Sequence, residues 1–222
     1  MTSFNYKDYS TVNLNNMRFY DIEGCHYPSI TTVLGNTMEP EKKKSLENWR
    51  NSLGAAKADK FSKDAADRGT QIHLMCERFL KGETVVQKPN EFSPQIIGMF
   101  NGLKLKLGKI KQIWGQEVVL FSHDLEVAGR CDLIGVYNDF PAIIDFKTST
   151  RLKDKSKIGD YVLQITAYAK MHNEMFGTEI NKGVILMITE QGFPSEFHYT
   201  TSEHTLALEK RVKEFYTRLL DA

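Results

Sequence analysis

Val127-Ala-Gly-Arg-Cys-Asp-Leu-Ile-Gly-Val-Tyr-Asn-Asp-Phe-Pro-Ala-Ile-Ile-Asp-Phe-Lys-Thr-Ser149 decides how the chain is built. Residues 127–136 and 142–146 have the apolar, β-branched composition of strands, and Asn138-Asp139-Phe140-Pro141 is the turn between them. Residues two apart in a strand point to the same face, so Asp145 and Lys147 project together and Phe146 enters the opposite layer. The short turn returns the second strand beside the first and brings Asp132 close to Asp145. Two carboxylates and an ammonium are costly to bury without a compensating ion. A divalent cation held by the carboxylates relieves their repulsion, and oxygen-rich sites suit magnesium or manganese better than zinc. Taken alone, a D-x-K is more often a weak exposed ion pair. Here Ala142-Ile-Ile144 precedes it, which places the charges at the end of a buried strand, a favoured place for sites in open α/β sheets.

Outward from this stretch the pattern alternates helices and strands. Toward the N-terminus, residues 17–23 form a strand entering a turn at Gly24, and Ser29 caps a short helix through Ile30, Val33 and Leu34. Residues 41–57 are helical and polar, and a clearer amphipathic helix spans 64–80. Ser93-Pro94 starts another, running to about 107. Residues 117–121 form the strand before the quoted pair. Beyond it, Asp160 is placed to cap a helix ended by Gly177, residues 183–189 suit a buried central strand, and 196–200 an edge strand. A last helix carries Leu208, Val212, Phe215, Tyr216 and Leu219 on one face. The expected fold class is α/β, a central mixed β-sheet flanked by helices, with an N-terminal helical region. The expected organisation is one domain over 1–222, with 1–110 mainly helical around a short hairpin and 111–222 forming the sheet core.

Composition bounds the function. The 222 residues carry 29 Lys+Arg against 28 Asp+Glu, a net charge of +1, with 41% hydrophobic residues. That balance excludes a dominantly disordered chain and a histone-like polycation, but not a local cationic path. No apolar run reaches the roughly 18 residues of a membrane span, and no secretory signal is evident, so no membrane partner and a cytoplasmic location are expected. Cys25, Cys76 and Cys131 form no CxxC, so neither a zinc ribbon nor a disulfide framework is indicated.

Two helical faces converge on the same chemistry. Thr70, His73 and Glu77 share a face of the 64–80 helix, where His73 can ligate a metal and Glu77 orient it. Tyr161, Gln164 and Tyr168 share a face of the 160–176 helix. Arg151, Lys153, Lys155 and Lys157 leave the Asp145 strand with only Asp154 opposing them, a run able to follow a nucleic-acid backbone. Lys42-Lys-Lys44 and Lys104, Lys106, Lys109 and Lys111 are further basic runs, of the kind that usually form solvated faces.

Gly129-x-x-Asp132, Ile144-Asp145-Phe-Lys147-Thr-Ser149 and Gln164-x-x-x-Tyr168, preceded by Arg68-Gly-Thr-x-x-His73-x-x-x-Glu77, resemble the PD-(D/E)XK nuclease superfamily, and its RecB-like branch most. Tyr27-Pro-Ser-Ile-Thr-Thr-Val-Leu34 is similar to a segment of mitochondrial genome maintenance exonucleases and their phage-encoded relatives. The resemblance spans residues 27–176 and implies a restriction-endonuclease-like core. It implies Asp132, Asp145, His73 and the backbone carbonyl of Phe146 as ligands of Mg2+ or Mn2+. Lys147 would orient the attacking water and stabilise charge at phosphorus, while Gln164 and Tyr168 would hold the site or a DNA phosphate. Arg68, Thr70, Ser29, Thr148, Ser149, Arg151, Lys153 and Tyr161 are candidate DNA contacts, and Glu77 and Glu117 candidate outer contacts of the ion. Iron–sulfur members of the superfamily use four cysteines where this chain has three, so no iron–sulfur cluster is expected. The implied activity is hydrolysis of DNA phosphodiester bonds by an exonuclease on single-stranded ends in replication, recombination or repair, in a bacterial or phage-infected cell. A structure-specific endonuclease and a non-catalytic nucleic-acid-binding module are the competing expectations. A zinc hydrolase built on His73 and Glu77 lacks the second histidine of H-E-x-x-H.

Overall fold

The computed structural model describes residues 4–221. Its centre is a five-stranded mixed sheet in the order β4-β5-β6-β7-β8, formed by Ile110–Ser122, Val127–Tyr137, Phe140–Ser149, Lys182–Thr189 and Pro194–Thr200. All neighbours are antiparallel except β6 and β7, which run parallel and are joined by α5 (Gly159–Phe176). Helices cover both faces. On one side α3 (Ala55–Leu80) and α4 (Pro94–Leu107) bury Ile72, Met75, Cys76, Phe100 and Leu103 against Leu133, Ile144, Phe146 and Leu186. On the other, α1 (Ile30–Asn36), α5 and α6 (Thr205–Leu220) bury Ile30, Ile165, Tyr168, Leu208 and Phe215 against Cys131, Ile143, Ile185 and Met187. The expected α/β architecture is therefore the observed one.

Residue pattern explains the layers. Every residue of β7 but Lys182 is buried, with Val184, Leu186 and Ile188 facing one helical layer and Ile185 and Met187 the other. Each fully buried aliphatic side chain of this kind contributes about 1.5–3 kcal/mol. Ser93 caps α4 through its hydroxyl, which accepts the Ile96 N–H, and Pro94 occupies the first turn as the sequence suggests. Gly177 closes α5 at φ 64°, a left-handed conformation that glycine adopts without strain.

Several boundaries differ from expectation. The turn before β6 is only Asn138-Asp139, because Phe140 and Pro141 already pair with Tyr137 and Val136, and β6 runs on to Ser149. The polar helix stops at Leu53 (α2, Pro40–Leu53) rather than at 57, because Gly54 takes φ 79°. Beyond Gly54, α3 starts at Ala55, nine residues before the apolar stripe that advertises it. Strand β4 begins at Ile110, and two register shifts, between Ile110 and Gln112 and between Ile113 and Gly115, disturb the alternation that would reveal it. Asp160 lies inside the first turn of α5 instead of capping it, ion-paired with Lys42 and with Arg211 at 3.2 Å. At the N-terminus the expected hairpin is a three-stranded antiparallel sheet, β1 (Thr11–Leu14), β2 (Met17–Ile22) and β3 (Cys25–Pro28). Its loops Asn15-Asn16 and Glu23-Gly24 have positive φ at both residues, which matches the twist of the flanking strands. No described helix is long and apolar enough to cross a membrane.

Candidate active site

The site forms where two strands part. The β5–β6 ladder runs from Tyr137/Phe140 to Leu133/Ile144 and stops there. Past that point Phe146 has lost its neighbour on this side, yet a buried peptide group must be satisfied. Asp132 Oδ2 accepts the Phe146 N–H at 2.8 Å, and His73 Nε2, reaching across from α3, donates to the Phe146 carbonyl at 2.9 Å. Because a carbonyl only accepts, Nε2 carries the proton, and Nδ1 of His73 faces the fork. It lies 3.6 Å from Asp132 Oδ1 and 3.8 Å from Glu117 Oε1. One donor atom from each of His73, Glu117 and Asp132 falls within 4.8 Å of the others.

On the α5 side of β6, Asp145 and Lys147 share a face as the spacing predicts. Asp145 is 0% exposed, and the Lys147 ammonium sits 2.6 Å from its carboxylate. It hydrogen-bonds to Oδ1 and lies equally close to the buried Oδ2, so both carboxylate oxygens face the ammonium. Burial pushes the Asp145 carboxyl up, with Lys147 opposing and Asp132 reinforcing, to about 6. Burial disfavours the Lys147 ammonium, but Asp145 and Asp132 outweigh it and hold the group above the usual lysine value. Burial also opposes charge on His73, which Asp132 and Glu117 overcome, taking it to about 9. Three carboxylates and an imidazole form a set that a divalent cation would complete.

The other expected residues are placed as follows. Gln164 donates to the Tyr168 hydroxyl at 3.1 Å, both being buried. Tyr168 fits because Gly129 has no side chain: a Cβ there would lie 2.8 Å from Tyr168 Cε1. Tyr161 lies between two cations, with Lys147 Nζ 5.3 Å and Lys153 Nζ 5.0 Å from its ring centre, and its hydroxyl accepts from Lys153. Gly69, Thr70, His73, Leu74, Glu77, Glu117 and Arg130 line an open groove of about 540 Å³. Along the other side of α3, Arg68, Thr148, Ser149, Arg151, Lys153 and Lys157 line a second groove of about 610 Å³.

Several candidates already have partners. Ser29 is 1% exposed and caps α1 by accepting the Thr32 N–H. Ser149 donates to the Arg151 carbonyl, closing the end of β6. Arg68 pairs with Glu190 at 2.9 Å, and Glu77 with Lys81 at 2.6 Å. The Phe146 carbonyl, expected to face the ion, receives the His73 N–H. Glu117, expected only in an outer role, stands instead among the potential ligands, with a backbone φ of 52° inside a strand. Arg130, inside the quoted stretch but given no role, lines the same groove. Its signal was a lone cation among the buried positions of β5.

No family model matches the chain. Mitochondrial genome maintenance exonuclease 1 of Mus musculus is 26% identical over 183 residues, covering 79% of this chain and 54% of that protein. The Xenopus tropicalis protein of that name is also 26% identical, over 79% of this chain and 52% of its own, and the Homo sapiens protein 24%, over 79% and 53%. The chain is related in sequence to these exonucleases. It spans about half the length of the curated relatives it matches. A solved structure of a candidate exonuclease from Eubacterium rectale superposes with a TM-score of 0.47 and 14% identity, over 67% of this chain and 66% of that one. That likeness is too slight to bear on the site.

Proposed function

We propose that the chain is a divalent-metal-dependent nuclease hydrolysing DNA phosphodiester bonds, acting as an exonuclease on single-stranded ends in DNA replication, recombination or repair. The observation that carries this reading is the gathering of His73, Glu117 and Asp132 within 4.8 Å, beside the buried Asp145–Lys147 pair. The exonuclease relatives support the reaction class.

His73 Nδ1 and the Asp132 and Glu117 carboxylates would hold the ion together with the Asp145 carboxylate, with Mg2+ or Mn2+ suited to that donor set. When bound, the ion supplies activation of water near neutral pH and neutralisation of charge on the phosphate. Lys147, kept cationic by Asp145 and Asp132, orients the attacking water and donates toward the oxygen on which charge builds. The Phe146 carbonyl fixes the imidazole by holding its Nε2–H, so that Nδ1 stays aimed at the ion. Tyr168, hydrogen-bonded by Gln164 and seated over Gly129, would help to hold the site from the α5 side. The basic groove of Arg151, Lys153 and Lys157 would carry the strand's phosphates toward Lys147, with Thr70 and Thr148 beside α3 as further contacts.

End-labelled linear single strands, linear duplexes and closed circles, incubated with protein and Mg2+ or Mn2+, test the proposal. Release of mononucleotides or short fragments from linear single strands, abolished by EDTA and by Asp145→Asn or Lys147→Ala, is the expected result. Equal degradation of circles would remove the exonuclease mode. Undiminished cleavage by both variants would remove the site assignment.

A further inference from the structure

Glu117 presents a conformational puzzle. It lies in the middle of β4 at φ 52°, a region that residues with a side chain occupy only under constraint. The ladder with β5 is regular on either side, Gln116 opposite Leu133 and Val118 opposite Cys131, which sets Glu117 across from Asp132, yet Glu117 is not itself a paired position. Its carbonyl is instead held by a side chain: Arg130 Nη1 donates to the Glu117 carbonyl oxygen. The other arm of the same guanidinium, Nη2, donates to the exposed Asp8 Oδ1 at 2.8 Å, so the fork bridges the two. Arg130 sits opposite Val119 and lines the groove that holds His73 and Glu117.

We propose that Arg130 is a positioning residue that holds the Glu117 backbone in its left-handed turn and thereby aims the Glu117 carboxylate at the ion shared with His73 and Asp132. A planar fork can bridge a carbonyl and a carboxylate at once through two separated nitrogens, whereas a lysine offers a single compact ammonium without that fixed geometry. Asp8 serves to orient the fork and to offset its charge near the cation. The inference rests on the metal-binding reading of the site, and it makes a claim of opposite sign to simple electrostatics. Removing a cation from beside a divalent-ion site should tighten binding if charge were all that mattered. If Arg130 acts by aiming Glu117, its removal weakens binding.

The test is calorimetric titration of metal-free protein with Mn2+, without DNA. For Arg130→Ala and Arg130→Lys the expected result is a roughly 10-fold or greater rise in Kd, the scale seen when an outer partner of a metal ligand is lost, with thermal midpoints close to that of the unaltered chain. In a Glu117→Gln background, adding Arg130→Ala should change Kd less than twofold, because the arginine acts through that carboxylate. Unchanged or tighter Mn2+ binding in both arginine variants would overturn the proposal. So would an equal loss whether or not Glu117 is present. Absence of any Mn2+ binding by the unaltered chain would instead refute the metal reading itself, a separate outcome.

Discussion

The Asp145–Lys147 pair offers a measurement that separates holding the fold from performing chemistry. Asp145 is 0% exposed, and the Lys147 side chain keeps 18% of its surface, with the ammonium 2.6 Å from the carboxylate. Removing one partner of a buried pair leaves an uncompensated charge and costs about 3–5 kcal/mol, whereas replacing both with neutral groups of similar shape is often near neutral. In Asp145→Asn the stranded ammonium retains some water and the Tyr161 ring at 5.3 Å, which moves the expected cost below that range, to about 2–3 kcal/mol. In Lys147→Met the carboxylate, already pushed up to about 6 beside Asp132, loses its ammonium partner and takes up a proton, at a cost of about 2–4 kcal/mol. The double variant carries neither charge and should lie within about 1.5 kcal/mol of the parent. Urea unfolding of metal-free protein at neutral pH measures all four stabilities. The expected coupling is about 2 kcal/mol or more, and additivity within about 0.5 kcal/mol would refute the argument that the two charges hold each other in place. None of the three variants should cleave DNA with Mg2+. A folded but inactive double variant would then assign the pair to catalysis rather than to architecture.

Other perturbations have equally definite signs. Gly129→Ala drives a Cβ to within 2.8 Å of Tyr168 and 3.1 Å of Ile30, an overpacking expected to cost about 1–3 kcal/mol. At about 2–4 °C per kcal/mol for a chain of this size, a calorimetric midpoint unchanged within 1 °C would contradict that contact. Replacing Arg151 and Lys153 with Ala in an Asp145→Asn background should weaken binding to a single-stranded oligonucleotide. It should also flatten the log Kd against log salt slope by about 1.4, two phosphate contacts at about 0.7 each, and an unaltered slope in an anisotropy titration would remove that groove from the substrate path. His172 is fully buried, bonded to Tyr6 and Thr178, and burial lowers its pKa from 6.5 to about 4. The unfolded chain therefore binds the extra proton first as pH falls. Between about pH 6.5 and 4 this group alone should remove roughly 3 kcal/mol of stability. His172→Gln should show a correspondingly shallower acid loss, and identical pH–stability curves would refute it.

What the sequence disclosed followed physical rules that act locally. Alternation in β6 set Asp145 and Lys147 on one face and Phe146 on the other, and the structure has them so. Caps and breakers marked Ser29, Ser93 and Gly177 correctly because each acts within one helical turn. The first half of α3 was illegible because no residue between Ala55 and Asp64 is buried except Ala58, which leaves no stripe to detect. Strand β1 was missed because only four residues form it, none fully buried, and the Asn15-Asn16 turn was its one clear sign. Glu117 and Arg130 belong to a different class. Their importance depends on a strand-to-strand register and a backbone excursion, neither of which is written in residue spacing.

The same geometry explains why the polar cluster survives inside an apolar sandwich. Where β5 and β6 part, the Phe146 peptide would lose both partners on one side, a penalty that no apolar side chain could relieve. Asp132 and His73 take over those two bonds, so they are anchored by the backbone before any ion or substrate arrives. Each then has one donor atom left over: Oδ1 of Asp132 and Nδ1 of His73, 3.6 Å apart and directed at the same space. Under the proposed metal-binding reading, the residues that satisfy the divided ladder would be preorganised ligands as a consequence of their structural duty. Preorganisation matters because groups already aimed need no reorientation when charge develops. Glu117, by contrast, is not a paired position of the ladder, and the proposal gives Arg130 the task of holding its left-handed backbone. Affinity for the ion should therefore be governed less by the well-anchored Asp132 and His73 than by how firmly this third carboxylate is held.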